Sequence, residues 1–415
     1  CMRRNAMHST QPNVTQQAEQ RLVSPLQNAI INLGLLLLSS LLFALSFPSF
    51  VSTWGWFPLA FIALSPIFIV IHRSNWIGVF VYGLLYGFVT YALFNFWLLK
   101  FHPLSIIIVP TIYAVYFLIL FPVLKVADTV FPKYGFLVQI AIWIAYEYLR
   151  TRGFLGYAYG ILGYSQYLFR PFIGISSITG VWGVSFLVIA PSAMIGGALK
   201  NGFKQAKLFW DNHQVELFIY SILFVAALAY GFISQVDYTD TKKWNVALVQ
   251  HNVDPWKHNY DDALSILVRL SEEAKEHNPD IVFWSETAFV PAIDYHTVHR
   301  QNPEAYELVR ELKSFMAKQD IPYVIGNDDG QLELAGGARR IDYNAALLFQ
   351  DGEIKNRYRK VHLVPFTENF PYEEQLPGIY NWLRNADTHF WEKGDEFTVF
   401  EADEVQFSTP ICFED

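Results

Sequence analysis

The chain has 415 residues, 53% of them hydrophobic and only 16% charged, which is too apolar for an ordinary soluble protein and long enough for two domains. Residues 1–235 carry a net charge of +8 and residues 236–415 a net of −16, so a greasy, sparsely basic part precedes an acidic, water-facing one. This pattern excludes a basic nucleic-acid-binding surface, and two cysteines exclude a disulfide framework.

The chain opens with a polar stretch, "STQPNVTQQAEQ", and residues 1–27 read as a disordered cytoplasmic tail. Cys1 has no apolar run before it and is not read as a processed or lipidated end. A helix needs about 20 mostly apolar residues to cross a bilayer. Seven such runs follow, at 29–47, 54–71, 76–99, 104–124, 136–149, within 172–199, and at 216–234, giving a membrane domain over 28–235. The fifth is short and carries Glu147, either a functional intramembrane acid or a partner of Arg150 or Arg152. With the N-terminus inside, nine Lys/Arg fall on the inner side and four on the outer. The excess of inner cations predicts a cytoplasmic N-terminus and a last domain, 236–415, on the periplasmic side.

From 244 the hydrophobic period changes. "WNVALVQ" reads as a buried strand, 260–277 as an amphipathic helix and "DIVFW" (280–284) as a strand. Residues 303–318 read as a helix and "PYVIGN" (322–327) as a strand. "YNAALLF" (343–349) and "IKNRYRK" (354–360) flank a hairpin turn, and "VQFSTPIC" (405–412) reads as a last strand. Strands interleaved with helices predict an α/β domain or layered sandwich.

Three residues in this part carry candidate chemistry. Cys412 ends the predicted last strand, in "TPICFED", where a thiol can be exposed and activated, although a buried core cysteine fits the same residues. Glu286 follows the apolar strand "IVFW" in "FWSETA", the strand end where α/β proteins place catalytic groups; capping of a helix by Ser285 is the alternative. Lys360, in "YRKVHLVPFTENFP", ends a strand and could stabilise a thiolate and a developing oxyanion, or be one more surface lysine. Glu368 could orient that lysine or act as a second carboxylate. His296 and His299, in "HTVH", have no third ligand in view and read as surface residues, so no metal or other cofactor is expected.

Glu286, Lys360 and Cys412, in that order, resemble the catalytic triad of the nitrilase (carbon-nitrogen hydrolase) superfamily. "YEYLRTRGFLGYAYGILGYSQ" (146–166), "SITGVWGVSFLV" (177–188) and "VALVQHNV" are similar to segments of the bacterial apolipoprotein N-acyltransferase family. The resemblance covers roughly residues 28–415 and implies a polytopic α-helical membrane domain fused to an α-β-β-α sandwich. It implies transfer of an acyl chain from a phospholipid to the α-amino group of a diacylglyceryl-cysteine apolipoprotein, through a thioester on Cys412. Glu286 would then be the general base and Lys360 the stabiliser of oxyanion and thiolate, with Glu368, Phe413 and Glu414 as supporting positions. Trp256, in "VDPWKHN", corresponds to a tryptophan of the family's active-site rim with different local spacing; a membrane-interface anchor is the other reading. Ser285, Thr367 and Phe413 stand where many members have proline, glycine and tyrosine. Family members continue past the cysteine, so the sandwich is expected to be incomplete here. A membrane-tethered amidase, or an inactive truncated paralogue binding lipid or lipoprotein, are the alternatives.

Overall fold

The computed structural model describes residues 24–415 except 101–102, 154–155, 254–258, 333–339, 366–367, 371, 386–389 and 415. Most of the predicted tail, Trp256 and Thr367 lie outside the described residues. The chain divides into two compact units, Cys1–Asp237 and Tyr238–Asp415, two residues from the boundary predicted by the change in charge.

The first unit is helical. It contains α1 (Pro25–Ser46), α2 (Ala60–Ala63), α3 (Ser65–Arg73), α4 (Trp76–Phe94) and α5 (Ser105–Val130). These are followed by α6 (Gly135–Leu149), α7 (Arg170–Ile173), α8 (Ser176–Leu199), α9 (Phe203–Asn212) and α10 (Gln214–Ile233). Five of them, α1, α4, α5, α8 and α10, are long and apolar enough to cross a membrane. The other two predicted spans are shorter. Residues 57–73 are broken into a 3-10 turn, α2 and α3, with Pro58 and Pro66 each opening a piece because proline lacks the N–H that would continue a preceding helix. The helix at the fifth run, α6, has 15 residues. Sequence periodicity did not separate α9 from its neighbours; Gly202, at φ 91°, breaks the chain before it.

Helix ends follow local chemistry. Ser24 and Gln27 form a reciprocal capping box with Pro25 in the first turn of α1, and the Asn75 side chain accepts the Gly78 N–H at the start of α4. The core is aromatic: Tyr86, Phe117, Phe121 and Trp143 are buried together. Ile30, Leu37, Ile219 and Val225 face outward, as expected of surfaces that meet lipid chains. Glu147 is buried and interacts with the Arg150 charge without a direct ion pair; it accepts hydrogen bonds from Trp143 Nε1 (3.3 Å) and the Leu162 N–H (2.9 Å), holding the segment after α6. Arg150 instead donates to Tyr113 Oη and the Tyr157 and Tyr159 carbonyls, each at 2.8 Å.

The second unit is built on a five-stranded sheet in the order β1 (Val246–Val249), β2 (Ile281–Trp284), β3 (Tyr323–Leu332), β4 (Arg340–Gln350), β5 (Glu353–Arg359). The first two pairings are parallel and the last two antiparallel. Helices α11 (Tyr260–Lys275), α12 (Ile293–Val298) and α13 (Pro303–Met316) connect the early strands, and α14 (Pro377–Asn385) follows β5. Alternation along the strands sends two sets of apolar side chains to opposite faces. Ile325, Leu347 and Phe349 pack with Leu264 of α11 and Leu312 of α13. Val324, Ala346, Leu348 and Tyr358 pack on the other side with the hairpin β6 (Phe400–Ala402) and β7 (Val405–Phe407), and with Ile411. A mixed sheet of this kind in a chain that also carries an apolar helical unit is the predicted fold class.

The predicted last strand is corrected. It stops at Phe407, and Cys412–Glu414 is a 3-10 turn. Pro410 has no N–H to offer a ladder, and the Glu414 side chain takes the Ile411 N–H (3.0 Å).

Candidate active site

Glu286 lies two residues beyond β2, on a turn rather than at a helix cap: the Ala288 N–H bonds the Ser285 carbonyl, and Thr287 sits at φ 48°. Left-handed backbone at a β-branched residue is strained and held by its surroundings. The surroundings include Gly326 of β3, whose absent Cβ would stand 2.7 Å from the Thr287 nitrogen and 2.8 Å from the Glu286 Cα. Only glycine lets β3 pass this close. The Glu286 side chain is 38% exposed.

Lys360 is not a surface residue: its side chain is 0% exposed. Its N–H continues the β5–β4 pairing to the Asn344 carbonyl (2.8 Å), one residue beyond the end of β5. Its ammonium bonds Glu368 Oε1 at 2.9 Å and stands 3.8 Å from Glu286 Oε1. Burying an ammonium is costly unless it is paired, so the two carboxylates hold it in place. Glu368 Oε2 in turn accepts the Val364 N–H (2.7 Å), closing a loop around the lysine. Burial pushes the Glu368 carboxyl above its usual range, while Lys360 pulls it down.

Asn344 escaped the sequence reading. It is 1% exposed, donates to Glu286 Oε1 at 2.7 Å, and its carbonyl receives the Lys360 N–H. Asn344 pairs with Asp328 of β3 in the sheet register, so Asp328, Asn344 and Lys360 form a row across three strands. The signal was a lone amide at the start of the apolar run "YNAALLF". Asp328 is also buried; it accepts Trp391 Nε1 (3.2 Å), and burial, with help from Asp342, pushes its carboxyl up to about 7 against the pull of Arg340.

Cys412 is exposed and stands at φ 53° on its turn. Two residues on, the Glu414 carboxylate fastens that turn to the chain just past Lys360. Its Oε1 accepts the Val361 N–H (2.8 Å), the His362 N–H (2.9 Å) and the Tyr358 hydroxyl (2.7 Å). Burial first, and this hydrogen bond next, raise the Tyr358 phenol well above its ordinary value. Phe413, half-buried, lies between Cys412 and Glu414. Glu286, Lys360 and Glu368 therefore meet directly, and Cys412 is tied to the same strand end through Glu414.

His296 departs from its surface reading. It is buried on α12, its Nδ1 has no hydrogen-bond partner, and burial lowers its imidazole pKa. Among the described residues no group of three or more His, Cys, Asp or Glu side chains is arranged to hold a metal ion.

Two family models match the chain, one in each compact unit. "Apolipoprotein N-acyltransferase N-terminal domain" matches residues 39–194, and "Carbon-nitrogen hydrolase" matches residues 245–415. The chain is 42% identical to apolipoprotein N-acyltransferase 1 of Treponema denticola over 407 residues, covering 93% of this chain and 75% of that protein. It is 38% identical to apolipoprotein N-acyltransferase 1 of Treponema pallidum, covering 92% and 73%. It is 26% identical to an apolipoprotein N-acyltransferase of Geobacter metallireducens, covering 91% and 72%.

Proposed function

Because the chain belongs to the apolipoprotein N-acyltransferase family, we propose that it moves a fatty acyl chain from a membrane phospholipid to the α-amino group of the N-terminal S-diacylglyceryl-cysteine of apolipoproteins, by way of a thioester on Cys412. The observation that carries this reading is the buried Lys360 ammonium held between Glu286 and Glu368, beside the turn that Glu414 fastens. In this scheme the second unit works on the periplasmic side of the cell membrane and the first draws lipid from the bilayer plane.

Glu286 suits a general base. It is exposed enough to meet a substrate, and Asn344 orients it by one hydrogen bond. It takes the Cys412 thiol proton, and the thiolate attacks the ester carbonyl. The Lys360 ammonium, desolvated and pre-positioned, stabilises the negative oxygen that forms. Collapse expels the lysophospholipid alkoxide, which recovers the proton from Glu286, leaving an acyl thioester. The lipoprotein amine then attacks the thioester; Glu286 accepts the amine's proton and returns it to the departing thiolate. One nucleophile serves two substrates in turn, so ping-pong kinetics are expected.

The test is acyl-enzyme formation from a phospholipid radiolabelled in its acyl chains, with the intact protein in detergent. Wild type should carry label released by neutral hydroxylamine, and Cys412→Ala should carry none. Hydroxylamine-labile label that persists on Cys412→Ala would remove Cys412 from its role. Label that forms on wild type but never passes to a diacylglyceryl lipopeptide would remove the lipoprotein as acceptor.

A further inference from the structure

One end of the helical unit holds a cavity that the acyl transfer does not use. Its volume is about 220 Å3, and it lies where the last turns of α5 and α8 meet the start of α6, one face of α9 and His213, the residue before α10. The wall mixes aromatic rings of Phe68, Phe136 and Phe209 with the polar ends of Lys133, Lys200 and His213.

The charges at this end favour an anion. Lys200 Nζ bonds Asp128 Oδ1 at 2.9 Å, and His72 Nδ1 lies 2.7 Å from Asp128 Oδ2. Lys125 donates to the His72 carbonyl (2.8 Å), 4.0 Å from the same carboxylate. Asp128 is thus already compensated, and an ammonium has two further protons after one bond. Lys133 is exposed at the rim. Three lysines stand here against Asp128 and Glu216.

His213 gives the independent sign of a missing ligand. It is 4% exposed, lines the cavity, and its Nδ1 has no hydrogen-bond partner; Glu216 Oε1 stands 3.6 Å away, beyond hydrogen-bond reach. The ring is fixed by Phe209 and Phe136, with centroids 4.4 and 5.1 Å away. A buried polar atom without a partner calls for an explanation. His213 is also the N-cap residue of the 20-residue α10, and neither α10 nor the 15-residue α6 has a side-chain cap, so their first N–H groups point outward unsatisfied by side chains. Such helix starts bind phosphate.

We propose that this cavity is a binding site for a phosphate group, held by Lys200, Lys133 and His213 at the starts of α6 and α10. Two sources supply that chemistry: the headgroup of an anionic phospholipid, whose chains would lie along Phe136 and Phe209, and free inorganic phosphate. Basic pockets at the ends of membrane helices suit the first.

The probe is a dialkyl-ether phosphatidylglycerol carrying a diazirine in its headgroup; having no carboxylic ester, it cannot acylate Cys412. It is photolysed with the intact protein in neutral detergent and the labelled peptides are mapped by mass spectrometry. Label is expected in 128–136 and 196–213. Lys133→Glu, at an exposed position, and His213→Phe should each lower it by about fivefold, the upper range for one lost ionic contact near the surface. Lys200→Gln should act likewise, and if it fails to fold the first two variants carry the test. In the second arm, wild type is titrated with inorganic phosphate. A rise in melting temperature that Lys133→Glu removes, with competition against the lipid probe, identifies the free ion as occupant. The proposal is overturned if neither probe acts at these segments, or if Lys133→Glu and His213→Phe label as wild type does.

Discussion

Asp328 shows how one buried carboxyl makes a stability term depend on pH. It is 8% exposed, with Trp391 Nε1 at 3.2 Å and Arg340 3.7 Å away. Its pKa in the fold is raised to about 7, chiefly by burial and then by Asp342, from an ordinary carboxyl value of about 3.9. An acid whose folded pKa lies above its unfolded one favours the fold in its protonated form. That contribution is complete below about pH 4 and is lost as pH rises through about 7. Asp328→Asn keeps the shape and cannot ionise. Between pH 4 and 7 the wild type should therefore lose stability relative to Asp328→Asn, by a few kcal/mol at most. Melting temperatures of the two proteins across that range are the measurement, and parallel curves would remove Asp328 as the titrating group. In the same row the Lys360 side chain is fully enclosed, and two carboxylates stand within 3.8 Å of it.

Among the elements, α4 and α5 approach closely because two glycines, one turn apart, face the seam. A Cβ on Gly83 would stand 3.0 Å from the Phe121 Cβ, and one on Gly87 would stand 2.8 Å from the Tyr113 carbonyl carbon. Tyr91 and Tyr113 stack beside this contact with centroids 3.4 Å apart. In a bilayer the hydrophobic effect does not hold helices together, so small residues that admit close packing carry the association. Gly87→Leu should force the helices apart, costing about 1–3 kcal/mol or more. Gly34→Leu, on α1, meets nothing within 4 Å and should be silent. The folded, monodisperse fraction in detergent and its melting temperature compare the two; equal behaviour would mean the seam tolerates separation. Elements with an uninterrupted period were legible beforehand: α11 and α13 fall within two residues of their predicted ends. β3 was cut short at Asn327 because "NDDG" has the composition of a turn. It continues to Leu332 because Arg357 and Arg359 of β5 reach the buried Asp329, at 3.2 and 2.7 Å. Those partners lie about thirty residues away, where a local reading of the chain does not look. Asn344 and Asp328 were hidden for the same reason, whereas Glu286 and Cys412 stood out at the ends of apolar runs and Lys360 by ending a predicted strand just before one.

For the whole molecule, composition alone separated an apolar helical unit from an acidic α/β unit, and the two family matches fall on either side of the division at Asp237. The number of spans was harder to read than their existence. Hydropathy averages over a window, so it cannot see that prolines divide residues 57–73, and the fifth run, short already in the sequence, forms a helix of 15 residues. The cluster of Lys125, Asp128, His72 and Lys200 has a consequence for the membrane itself. The apolar part of α5 before it, residues 105–124, has 20 residues and is about 30 Å long. That equals the hydrocarbon thickness of a typical bilayer, about 30 Å. The ion cluster cannot sink into hydrocarbon without cost, so it acts as a stop that sets how deep α5 sits. A thicker bilayer must thin around the protein, and a thinner one must make α5 tilt. Reconstituted in phosphatidylcholines of 14, 18 and 22 carbons, the protein should melt highest at the intermediate length. A melting temperature indifferent to chain length would mean that the cluster does not register depth.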